Sequence, residues 1–313
     1  MQTLPLLLSL GAAALIVPAT LGALKERALV RENYRGATVP FPAGVAIVAA
    51  ALVALVPLAL LAELADADVF QPGAERAVLF VLGVALLGLL DDLIGAPPGG
   101  LRWGSERTPV AGEAAAPGRP GVGATAADAP PRGWRGHGRA TLAGSFSTGT
   151  LKAVGTLGLA LFVLADRGLG AGEYLLGVGV VVLATNLFNL LDLRPGRSVK
   201  ALVLLGAGLA LGSSHLEPLW TLGLFVGPIL VLAPLDLRER GMLGDTGSNT
   251  IGAVAGLWLV LTLSTLGQAV ALGLMLIATV YGEFRSISAL IERTPLIRQL
   301  DSLGRLKTRG EHA

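Results

Sequence analysis

Two adjacent acids, Asp91 and Asp92, close an apolar run in LLGLLDDLIG, about one helical turn before Gly95. That is an unfavourable place for a carboxylate. The last carbonyls of a helix carry the negative pole of its dipole, and two adjoining acids repel both it and each other. The pair calls for a cation nearby, unless the acids are simply solvated at a membrane boundary. A second polar set, Asn186, Asn189 and Asp192, recurs every three residues in ATNLFNLLDLRPGR and so stays on one side of a helix. Amides in an apolar run are costly, and they serve either interhelical hydrogen bonds or a ligand. Arg194, Arg197 and Lys200 follow. Such residues pair with phosphates, or merely mark a cytoplasmic loop.

A third segment, APLDLRERGMLGDTGSNTIG, carries Asp236, Arg238 and Arg240 and then Gly244-Asp245-Thr246-Gly247-Ser248. Its glycines allow a tight turn and close approach of the backbone, Thr246 or Ser248 can cap the helix that follows, and a helix N-terminus suits phosphate. A plain turn and cap would use the same residues. Taken together, Asp91, Asp92, Asp192 and Asp245 fall at helix ends with basic residues around them. Carboxylates of this kind suit a hard divalent cation, and Mg²⁺ typically takes one or two of them plus substrate phosphate oxygens. Metal-assisted phosphoryl transfer is the reaction class these residues predict. A transporter is disfavoured, because it would keep its costly residues at the bilayer midplane between broken helices.

The elements that must position these residues are membrane spans. The chain has 313 residues, 53% hydrophobic and 15% charged, with a mean hydropathy of +0.68. That is too little charge to cover a soluble surface. A net charge of +2 and the lack of any helix-turn-helix, zinc or RNA-binding signature give no reason to expect a nucleic-acid partner. The absence of Cys removes disulfides, thiolate metal sites and cysteine nucleophiles. Apolar stretches near 3–24, 43–61, 76–95, 148–166, 173–193, 199–213, 218–235, 247–264 and 267–284 predict an all-α polytopic bundle of about nine transmembrane helices. The first lacks a basic leader and a cleavage site, and reads as a true span. With the N-terminus outside, 22 of the 24 Lys and Arg fall inside and only Arg76 and Arg167 outside. The outer loops then carry Glu63, Asp66, Asp68 and Glu173, and the C-terminus is cytoplasmic.

Residues 1–284 thus read as one transmembrane domain, interrupted by a cytoplasmic loop at 96–147. That loop is too poor in large apolar residues to bury a core and is expected to be mostly disordered. Trp103 and Trp134 read there as interfacial anchors and His137 as a solvated side chain. Residues 285–313 read as a cytoplasmic amphipathic tail. Its Ile287, Leu290, Ile291, Leu296, Ile297 and Leu300 recur at helical spacing, with a break at Pro295. Such a tail lies on the inner leaflet or packs on the bundle. Gly208 with Gly212, and Gly252 with Gly256, are small-residue pairs suited to helix packing.

With these motifs in order, the chain resembles the polyprenyl-phosphate N-acetylhexosamine-1-phosphate transferase superfamily. That group includes the phospho-N-acetylmuramoyl-pentapeptide translocases and the GlcNAc-1-phosphate transferases. The resemblance rests on Asp91-Asp92, on Asn186, Asn189 and Asp192, and most specifically on Gly244 to Ser248. Weaker echoes are Asn33-Tyr34-Arg35-Gly36 with Pro40 and Gly44, and Lys152. It implies transfer of a sugar-1-phosphate from a UDP-sugar to a polyprenyl phosphate at the cytoplasmic face of the plasma membrane. UMP is released, with Mg²⁺ or Mn²⁺ as cofactor, in cell-wall (peptidoglycan-type) glycan biosynthesis; a homodimer is compatible with it. By resemblance, Asp91 and Asp92 bind metal or handle the lipid phosphate's proton, and Asp245 binds the metal. Asn189 and Asp192 hold the nucleotide or diphosphate, while Asn186, Gly244, Thr246, Gly247 and Ser248 line the substrate. Arg35, Lys152, Arg194, Arg197 and Lys200 are the groups that would neutralise phosphate charge. The family pattern has a Lys or acid where this chain has Gly95, an Asp where it has Pro195, and a His-rich loop where residues 282–313 carry His312 alone. Those departures define the alternative, an inactive relative that binds lipid-linked precursors or scaffolds envelope assembly.

Overall fold

The computed structural model describes residues 1–95, 148–165 and 167–306. The 96–147 loop with Trp103, Trp134 and His137, and the end of the tail with His312, lie outside the described residues. Most of the described chain is helical, as expected where backbone amides have no water and must pair within their own segment. In chain order the elements are α1 (Leu4–Glu26), a hairpin of β1 (Val30–Glu32) and β2 (Thr38–Pro40), α2 (Val45–Leu64), α3 (Ala74–Ile94), α4 (Thr148–Leu164), α5 (Ala171–Leu191), α6 (Arg197–Ser213), α7 (Glu217–Leu237), α8 (Gly244–Thr262), α9 (Thr265–Phe284), α10 (Ile287–Arg293) and α11 (Pro295–Ser302).

A helix stands at each place where the sequence predicts a span. Six of them, α1, α2, α3, α5, α7 and α9, are long and apolar enough to cross a membrane. The helices α4 and α6 are shorter, at 17 residues each, and α8 opens on a polar turn. Leu15, Leu64, Leu211, Leu266 and Ile277 are all 68% exposed or more. Side chains of this kind on the outside of a bundle face lipid. The protein is therefore an all-α, multi-pass membrane protein.

Helix α8 is the axis of the bundle, buried at every residue from Thr246 to Val260. It packs against α3, α5, α6 and α7. Its approach to α5 depends on glycine: a Cβ at Gly252 would lie 2.7 Å from the Thr185 Cα, and one at Gly256 2.9 Å from the Val181 Cα. These two glycines are the packing pair the sequence suggests. Gly208 and Gly212 are not; a Cβ at either would meet open space, because that face of α6 has no neighbouring helix among the described residues. At the far edge α1 lies along α7, where Ser9 Oγ donates to the Gly223 carbonyl at 3.0 Å.

The hairpin has no signature in the sequence, since three-residue strands show no readable alternation. It pairs Val30 with Pro40 and Glu32 with Thr38. Its turn is built by Asn33, whose Oδ1 accepts from the backbone N–H of Arg35 (2.9 Å) and Ala37 (3.0 Å), and by Gly36 at φ +74°. Past β2, the chain is tied to the approach of α8: Met242 N–H donates to the Pro40 carbonyl and Ala43 N–H to the Met242 carbonyl. The tail folds as the two short helices α10 and α11, broken at Pro295 as predicted.

Candidate functional site

The end of α3 meets the start of α8, and this resolves the awkward placement of the paired acids. Asp92 is buried and turned onto α8, where its carboxylate accepts from the Asp245 N–H (2.8 Å), the Thr246 N–H (2.8 Å) and the Thr246 hydroxyl (2.6 Å). An acid at the wrong pole of its own helix thus sits at the favourable pole of another. Gly244, at φ +69°, makes the turn that allows this approach. Gly247 backs onto Gly44, with no room between them for a side chain.

Asp91 points the other way and meets the cation its position calls for. Lys152, in the second turn of α4, lies 3.1 Å from Asp91 Oδ2 and also contacts Asp245 Oδ2. The Lys152, Asp91 and Asp245 side chains are 20%, 20% and 28% exposed, so the cluster is open on one side. Asn189 of α5 joins it. With its Oδ1 toward Lys152 Nζ (3.1 Å), its Nδ2 donates to Asp245 Oδ1 (3.2 Å) and Ser248 Oγ (3.0 Å). That amide orientation satisfies every group around it. Ser248 in turn donates to the Gly244 carbonyl at 3.0 Å. Four helices therefore contribute to one polar cluster: Asp91 and Asp92 from α3, Lys152 from α4, Asn189 from α5, and Asp245, Thr246 and Ser248 from α8. Asn186 does not join, and its buried Nδ2 has no hydrogen-bond partner among the described residues.

Asp192 follows α5 directly and feels the charges of Asp236, Asp245 and Asp92. It lines a small cavity of about 50 Å³ with Asn33, Tyr34, Arg194, Asp236 and Met242. Asp236 has no assignment from spacing alone, yet it is buried and accepts from the Gly196 N–H at 2.7 Å, fixing the turn that presents Arg194 and Arg197. Glu239, also without a sequence role, gathers Asn33 Nδ2 (2.8 Å), the Tyr34 hydroxyl (3.1 Å) and Arg35 Nε (3.2 Å). Neither acid lies in a repeating pattern, so only the folded contacts reveal them.

Apart from Lys152, the basic residues expected at phosphates are brought together around the tail. Arg197 is buried and donates to Asp301 through Nε (2.8 Å) and Nη2 (3.1 Å), and to Ser288 through Nη1 (2.7 Å). Lys200 donates to the carbonyls of Leu300, Asp301 and Leu303 at the end of α11. Arg194 stacks on Tyr34 at 4.4 Å and approaches Glu292 at 3.6 Å. Arg35 reaches the Leu306 carbonyl at 2.6 Å. Among the described residues, no three acidic or histidine side chains stand close enough to hold a metal ion by themselves. Asp91 and Asp245 do converge on one cation, the Lys152 ammonium, and that pair matches the one or two carboxylates Mg²⁺ draws from protein.

No protein-family model matches the chain, and no curated protein matches it.

Proposed function

We propose that this protein is a membrane-embedded transferase that moves a sugar-1-phosphate from a UDP-sugar to a polyprenyl phosphate, releasing UMP. The observation that carries this reading is the meeting of Asp91, Lys152, Asn189 and Asp245 around the N-terminus of α8, at an open end of the bundle. An ammonium, two carboxylates and a helix N-terminus form a place for phosphate chemistry. The reading includes nine spans, an external N-terminus and a cytoplasmic site, as the basic residues suggest. It also places the protein in the plasma membrane, in cell-envelope glycan synthesis.

In this mechanism an oxygen of the polyprenyl phosphate attacks the β-phosphorus, and the bond from that phosphorus to the α–β bridging oxygen breaks. UMP leaves with the bridging oxygen. Bound Mg²⁺ or Mn²⁺, held by Asp91 and Asp245, would supply Lewis-acid stabilisation of the diphosphate. Lys152 balances negative charge on the reacting phosphates. Asn189 orients Asp245, and Asp92 holds the α8 N-terminus in register.

The test is transfer by purified protein supplied with UDP-GlcNAc or UDP-MurNAc-pentapeptide, undecaprenyl phosphate and Mg²⁺. Wild type should release UMP and form the lipid-linked sugar, while Asp245→Asn should lose at least about 100-fold in rate, the scale of losing one electrostatic group at a transition state. A second reading, a precursor-binding relative without turnover, is favoured by the way Lys152 already neutralises both carboxylates. Binding of UMP or lipid with no transfer, where a known transferase is active, would decide for it.

A further inference from the structure

Four cationic side chains that would serve an anionic ligand are each engaged by residues between 287 and 306. Arg197 forms a two-pronged pair with Asp301 and also holds Ser288. Lys200 caps the last carbonyls of α11, Arg194 faces Glu292, and Arg35 holds the Leu306 carbonyl. The tail brings its own guanidinium too: Arg305 is 2.6 Å from Asp301 and 5.8 Å from the centre of the Tyr34 ring. That ring lines the Asp192 cavity.

A guanidinium held by two parallel bonds to a carboxylate is the geometry that also binds phosphate. Arg197 and Asp301 have only 4% and 10% of their side chains exposed, so this anion position is sheltered, yet its carboxylate comes from the short helix α11. Helix α11 itself buries no residue. Few apolar neighbours therefore hold it, and its docking depends on the hydrogen bonds and ion pair that Arg197 and Lys200 make with it.

We propose that segment 286–306 is an autoinhibitory strap, in which the Asp301 carboxylate stands in for the phosphate of an anionic ligand at Arg197. A phosphate-bearing ligand displaces Asp301, frees Arg194, Arg197 and Lys200, and opens the rim of the Asp192 cavity. This rests on the reading of that end of the bundle as a phosphate-handling site.

The lack of native Cys makes a distance measurement direct. Spin labels on Ser302→Cys in the tail and His215→Cys beyond the far end of α6 report whether the tail stays docked in the full chain. The expected result is one narrow distance in detergent alone and a longer, broader one with inorganic pyrophosphate. Asp301→Asn should show the longer distance without any ligand, its released population rising about tenfold on removal of one charge-assisted hydrogen bond, and Asp301→Glu should restore docking. Nanodiscs of phosphatidylglycerol compared with phosphatidylcholine separate a lipid headgroup from a soluble phosphate as the displacing group. A distance unmoved by pyrophosphate, by anionic lipid and by Asp301→Asn overturns the strap. Because this readout needs no turnover, release of the tail without sugar transfer would reject the transferase and keep the strap, and transfer with an immobile tail would do the reverse.

Discussion

At the scale of single residues, Asp91 and Asp92 are neighbours in sequence with opposite employment. Asp92 gives its carboxylate to three donors of α8, whereas Asp91 shares Lys152 with Asp245. Removing Asp92 leaves two amides and a hydroxyl without their acceptor at a buried helix start. Asp92→Ala should lower stability by about 2 kcal/mol, read as a fall in detergent unfolding temperature, with Asp92→Asn intermediate because its amide still offers one acceptor. Lys152→Met should leave Asp91 and Asp245 facing each other. Because those side chains are partly exposed, its cost should be about 1–2 kcal/mol, below that of breaking a buried pair. Asp301 offers a pH test. Burial pushes its carboxyl up, but the hydrogen bonds and charge of Arg197, with Arg305 and Lys200, outweigh that and hold it below the usual 3.8. A depressed carboxyl contributes stability above its unfolded value and loses it as pH falls through the folded one. The tail should therefore stay docked through neutral and mildly acid pH and detach only below about 3.8, seen as a longer spin-label distance in an acid titration.

At the scale of elements, helix positions were legible because the apolar runs are separated by polar or charged stretches, even where a run is as short as that of α6. The break at Pro295 was legible because proline cannot donate within a helix. The meeting of Asp91, Asp92 and Asp245 was legible, since each stands at a helix end on the same expected side, whereas Asp192, expected with them, lines the neighbouring cavity and Lys152 and Asn189 take its place in the cluster. Pairing across distance was not. Nothing in the spacing of Arg197 and Asp301 links residues so far apart, and nothing in GAGLALG against GAVAG tells which glycine pair has a neighbour. That contrast is testable. Gly256→Val should cost about 1–3 kcal/mol by overpacking against Val181. Gly208→Ala, facing open space, should be neutral or gain about 0.5–1 kcal/mol from helix propensity. Equal effects of both, in the same unfolding assay, would mean that α5 and α8 are not in backbone contact at Gly256.

At the scale of the whole molecule, the proposed orientation, with the N-terminus outside, predicts labelling from one side. A membrane-impermeant maleimide applied to intact cells should modify Ala65→Cys, in the loop after α2, and spare Ala37→Cys, in the hairpin turn. The reverse pattern would turn the protein over and move the Asp245 cluster to the outside. The central placement of α8 has a consequence for biogenesis. Buried from Thr246 to Val260 and polar in its first turn, it offers lipid almost nothing with which to partition. Its polar partners all precede it in the chain: Asp92 on α3, Lys152 on α4 and Asn189 on α5 are made first. When α8 emerges from the ribosome, a socket of acceptors and an ammonium is already in place for its amides and for Asp245, so the order of synthesis lets its polar first turn be received by protein rather than by the bilayer.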